Sequence, residues 1–170
     1  GYETPDFDLP DNFEFISLGV QRGPDYWSDD MIEYFSNCEH EMFYLTTEDG
    51  FIVHPINEDI LDLAMKIASV NPKENFLKFA MTADVKNRSF TTLKNFGDYK
   101  LIKADQHTAY RHSTSHCIWR REAFLKKLIP GQSPWAFELD NVRGINDTNH
   151  PGLSPEDIKF IEDSGWMPEV

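Results

Sequence analysis

The sequence predicts an α/β protein, a mixed sheet flanked by helices, and three patterns carry that prediction. Short apolar runs alternate with period two, amphipathic stretches begin at capping residues, and the two kinds of segment alternate through roughly the first hundred residues. With 170 residues, 40% of them hydrophobic and 14% aromatic, the chain has the length and the large side chains for one compact core, and 1–170 is read as a single domain.

Taken in order, residues 1–12 are rich in Asp and Pro and read as an irregular lead-in. Phe13 to Leu18 alternates apolar and polar side chains ahead of Gly19, as a strand does. Ser28 is placed to cap a helix ending near Asn37. Its first turn carries Asp29 and Asp30 at the positive end of the helix dipole, and Met31, Ile32 and Phe35 share a face. Met42 to Thr47 is a second strand candidate that runs into Glu48-Asp49-Gly50, after which Phe51-Ile52-Val53 resumes an apolar run. Asn57 caps the next helix, with Ile60, Ala64 and Ile67 at helical spacing and a stop before Asn71-Pro72.

Phe76 to Ala80 and Tyr99 to Lys103 are shorter strand candidates, and Thr82 to Asn95 between them reads as a loop or weak hairpin. Arg120 to Leu128 predicts a helix ended by Pro130-Gly131. Ser133 followed by Pro134 supplies an N-cap and a first-turn proline for a short helix bearing Trp135, Phe137 and Glu138. Ser154-Pro155-Glu156-Asp157 repeats the signal for a last helix within 150–170 that ends near Gly165.

The charge balance narrows the function classes. Against 16 basic residues stand 29 acidic ones, a net charge of −13, and that field repels nucleic-acid backbones and anionic lipid. A small phosphorylated ligand stays compatible with it if a divalent cation neutralises the phosphates, and carboxylates are the ligands such a cation needs. Cys38 and Cys117 are far apart and form no zinc spacing, so reduced thiols in a cytoplasmic protein are expected. No apolar run approaches the roughly 18 residues of a membrane span.

Five groups of residues carry possible chemistry. Glu48 and Asp49 sit at a break between two apolar segments, where they serve either a ligand or an ordinary polar turn. Glu138, beside Trp135 and Phe137, suits a general base if its neighbours desolvate it; otherwise it complements the helix dipole. Trp27, Trp119 and Trp135 offer ring faces that can pack on a sugar or fill the core. His112 and His116 share a four-residue spacing, but Ser113-Thr114-Ser115 between them is a poor helix, which favours a contact or packing role for His116 over a zinc site. Arg120, Arg121, Lys126 and Lys127 form a basic cluster, read as a diphosphate contact through Arg120 or as a solvated helix face.

Several of these elements, in this order, resemble a known family. Trp27-Ser28 opening a helix, a strand ending in Glu48-Asp49-Gly50-Phe51-Ile52, then Ser115-His116-Cys117-Ile118-Trp119-Arg120 and Ser133-Pro134-Trp135-Ala136-Phe137-Glu138, are similar to the short A-type-fold glycosyltransferases of bacterial polysaccharide clusters and phages. The resemblance spans about two thirds of the chain, Gly19 to Glu138. It implies transfer of a sugar from a nucleotide-sugar to a hydroxyl acceptor. Glu48 and Asp49 would hold a Mn or Mg ion against the donor diphosphate, and Glu138 would be the base on the acceptor side. Trp119, Trp135, His116 and Arg120 would make substrate contacts. Thr47 stands where the strict acidic motif has its first carboxylate. The family's nucleotide-binding unit would precede Gly1, so an inactive scaffold or an acidic protein-interaction module is the alternative expectation.

Overall fold

The computed structural model describes residues 1–47, 55–70, 78–80, 90–97, 99–104, 112 and 114–138. Its elements in chain order are a 3-10 turn Pro24–Tyr26, α1 Trp27–Asn37, β1 Met42–Leu45, α2 Glu58–Val70, β2 Lys78–Ala80, β3 Phe90–Phe96, β4 Tyr99–Ala104, β5 Cys117–Arg120 and α3 Arg121–Lys127. A further helical turn covers 134–138. The architecture is mixed α and β, with helices beside small sheets.

The sheets differ from the mixed sheet expected, because every described pairing is antiparallel. One sheet has the order β1-β5-β2 and the other is the hairpin β3-β4. The stretch read as a loop or weak hairpin thus contributes a strand. Gly97, at φ 57°, takes the left-handed backbone that the β3–β4 connection needs, and a register shift between Thr92 and Lys94 marks a bulge.

The central strand β5 is the element the sequence conceals. Cys117, Ile118, Trp119 and Arg120 are buried on both faces, so no period-two alternation betrays a strand. The converse error falls on Phe13 to Leu18, which alternates convincingly yet pairs with no described strand. Phe13 is 67% exposed, and the Leu18 amide donates instead to the Gly1 carbonyl at 2.9 Å. Alternation alone does not make a strand where no neighbouring strand offers a ladder.

Among the described residues, helix starts follow the predicted caps in two places out of three; the start at Ser154 lies outside those residues. Asn57 Oδ1 accepts from the Ile60 amide at 3.1 Å, and Ser133 Oγ accepts from the Ala136 amide at 3.2 Å. Ser28 does not cap α1. The 3-10 turn winds straight into that helix, and Ser28, fully buried, accepts from the Gln132 amide at 2.8 Å while its own amide donates to the Gln132 carbonyl at 3.1 Å. Asp29 Oδ2 beside it accepts from the Gly131 amide at 2.8 Å. The start of α1 therefore holds the loop that leads from α3 to the 134–138 turn.

The core lies between α1, α3 and one face of the β1–β5 pair. Pairing Phe43 with Trp119 and Leu45 with Cys117 points those four side chains to the helices. Phe124 of α3 is the hub, its ring centroid 5.2 Å from Phe35, 5.3 Å from Phe43, 5.2 Å from Trp119 and 5.6 Å from Phe137. Most of these rings meet edge-on, the arrangement their quadrupoles favour. Helix α2 buries Leu63, Ala64 and Ile67 along one stripe.

Candidate functional site

The end of the sheet where β1 finishes and β5 begins gathers most of the polar side chains of interest. Glu138 reaches it from the 134–138 turn, which Ser133 starts and the fully buried Phe137 anchors to the core. Its Oε1 accepts two hydrogen bonds from Thr114, one from the amide at 2.6 Å and one from the hydroxyl at 2.9 Å. Thr114 is itself buried and lies just ahead of β5, so the carboxylate is fixed relative to the sheet. Sequence reading missed Thr114, whose partner is 24 residues away and leaves no local pattern.

His116 follows Thr114 by two residues and stands at φ 42°, the one left-handed non-glycine residue among those described. Its Nδ1 lies 3.1 Å from the Tyr44 hydroxyl and 3.3 Å from the Thr46 hydroxyl. Tyr44 and Thr46 are two apart along the end of β1, on the face opposite the core, which is why one imidazole meets both. Burial pushes the Tyr44 phenol above its ordinary pKa, with the negative potential of the Cys117 thiol adding to it. Neither hydroxyl was among the sequence-predicted contacts.

The remaining candidates separate into core and surface. Trp119 is 1% exposed and packs against Phe124 and Phe137, so its ring fills the interior and has no free face for a substrate. Arg120 is 6% exposed and pairs with Glu41 at 3.2 Å across the strand pair. Neither reading of the basic cluster describes the whole of it. Lys127 is also buried, Arg121 donates to the Phe35 carbonyl at 3.4 Å, and Lys126 alone lies on an exposed face, paired with Glu122. Trp135, by contrast, is 64% exposed on the outside of its turn. His112 sits among the aromatics, its ring centroid 6.3 Å from Trp119 and 6.1 Å from Phe137, as a packed residue does.

Glu48 and Asp49 lie outside the described residues. Among the described residues no group of three His, Cys, Asp or Glu side chains is placed to hold a metal ion. The Glu48-Asp49 segment follows Thr46 in the chain after Thr47.

A hollow of about 380 Å³ lies elsewhere, between residues 16–19 and α1, and none of the sequence-predicted site residues lines it. Its buried carboxylate, Asp30, is already engaged by the Tyr2 hydroxyl and the Arg22 guanidinium. No helix among the described residues is long and apolar enough to cross a membrane. No protein-family model, curated protein or solved structure matches the chain.

Proposed function

We propose that the protein transfers a glycosyl group from a nucleotide-sugar to a hydroxyl acceptor at the β1–β5 end of the sheet. One observation supports this reading above the others: the end of β1 from which the chain runs on toward Glu48 and Asp49 is the end at which the segment entering β5 holds Glu138. Leu45 pairs with Cys117, Thr46 meets His116, and Thr114 just beyond holds Glu138. Glu48 and Asp49 continue the chain from Thr46 on a tether whose contour length is about 11 Å.

In this proposal Glu138 acts as general base. Thr114 occupies Oε1, and Oε2 takes the proton of the acceptor hydroxyl as that oxygen attacks the anomeric carbon and the nucleoside diphosphate departs. A divalent ion held by Glu48 and Asp49 would supply charge stabilisation for the departing diphosphate. Holding the carboxylate through two hydrogen bonds favours catalysis by orientation, since a base that is already aimed loses little freedom on reaction.

A second reading has its own observation. Trp119, which an active transferase would turn toward substrate, is built into the core, and Arg120 is buried in a pair with Glu41, which favours a glycosyltransferase-like scaffold or an acidic interaction module. Calorimetric titration of a nucleotide-sugar panel in Mn²⁺ separates the two. The transferase should bind at least one donor, lose about tenfold or more in affinity on Asp49→Ala, and keep donor binding in Glu138→Gln while transfer falls by about 10²–10⁴. Absence of binding by the unaltered protein across the panel would leave the scaffold reading.

A further inference from the structure

We propose that Tyr44, Thr46 and His116 form a binding site for neutral saccharides on the face of the β1–β5 pair that points away from the helical core. The inference deepens the transferase reading and rests on it for the choice of a sugar as ligand; the site itself stands on its own geometry.

Tyr44 supplies the platform. It is 47% exposed on a strand, and its hydroxyl is held at 3.1 Å from His116 Nδ1, so the ring has little rotamer freedom left to lose when a ligand packs on it. An aromatic body with a tethered polar tip suits the apolar face of a pyranose. Its hydroxyl shares one hydrogen bond with the imidazole Nδ1, and burial pushes the phenol above its ordinary pKa.

His116 supplies the polar rim. A left-handed backbone is strained for a residue with a side chain, and here it sets an imidazole between two hydroxyls at the open end of a strand pair. Imidazole and hydroxyl groups each donate and accept, which is what a ring of sugar hydroxyls requires. The net charge of −13 opposes anionic ligands and leaves neutral ones unaffected, and Arg120, on the same face of β5, is already paired with Glu41.

The site is tested with isotope-labelled full-length protein titrated to about 20 mM with neutral glucose and N-acetylglucosamine disaccharides, following the Tyr44 ring and His116 resonances. At least one saccharide should shift both. Tyr44→Ala should abolish the effect, Tyr44→Phe should weaken it about two- to tenfold, and Phe13→Ala, which alters an exposed ring of the N-terminal segment, should leave it unchanged. If Tyr44→Ala does not fold, Tyr44→Phe and His116→Gln carry the comparison. No shift with any saccharide, unchanged binding in these variants, or a larger response to inorganic phosphate at equal concentration overturns the site. Saccharide binding without any nucleotide-sugar binding would remove the transferase and keep the site, whereas the reverse result would remove the site and keep the transferase.

Discussion

Asp30 shows how one buried side chain organises its surroundings. It lies on α1 facing the N-terminal segment, where it accepts from the Tyr2 hydroxyl and pairs with Arg22, whose guanidinium also stands 4.6 Å from the Tyr26 ring centroid. Burial and then the hydrogen bond to Asp30 push the Tyr2 phenol up to about 12. A group whose pKa is higher folded than unfolded stabilises the fold fully below its unfolded value of 10.0, and that contribution is lost as pH rises through the folded one. Stability should therefore fall between pH 10.0 and about 12 in the unaltered protein. Tyr2→Phe should flatten that part of the profile in denaturant melts taken at a series of pH values, and an unchanged slope would show that Tyr2 does not hold its proton through Asp30.

Among the elements, the opening of α1 has the most specific role. Ser28 and Asp29 look like capping residues, but their side chains accept from the backbone of the 131–132 loop, which delivers the chain to Ser133 and the Glu138 turn. Ser28→Ala removes that acceptor from the part-buried Gln132 amide, which costs about 1 kcal/mol. The loss should appear as a lower denaturation midpoint at unchanged m.

What the sequence disclosed at this scale follows from the range of the forces involved. Caps such as Asn57 and Ser133 act within three residues and are legible, whereas the Ser28–Gln132 and Thr114–Glu138 contacts join residues 104 and 24 positions apart and leave no periodic trace. Strand β5 was hidden for a related reason, since burial on both faces erases alternation. Tyr44 and Thr46 were passed over because a polar or half-exposed residue on a strand face is unremarkable until its cross-strand neighbour is known.

At the scale of the whole molecule, the aromatic cluster around Phe124 joins α1, α3, β1, β5 and the 134–138 turn. It is the physical link between the core and the end of the sheet that carries Glu138. Phe124→Ala should cost about 3–5 kcal/mol, with the loss of Glu138 positioning following from the loss of Phe137 packing. Near-ultraviolet dichroism would register the collapse of the ring cluster, and a variant as stable as the parent would show that the rings are not coupled in this way.

The functional proposal depends on the Glu48-Asp49 segment and Glu138 serving one place on this molecule. Paramagnetic broadening by Mn²⁺ measures that directly, in amide spectra of the labelled protein recorded with and without the ion. The amides of Thr46, Thr114 and His116 should broaden first and recover on Asp49→Ala, while those of the Gly131–Gln132 loop stay sharp. Broadening centred on any other part of the chain, or unaffected by Asp49→Ala, would contradict a shared site.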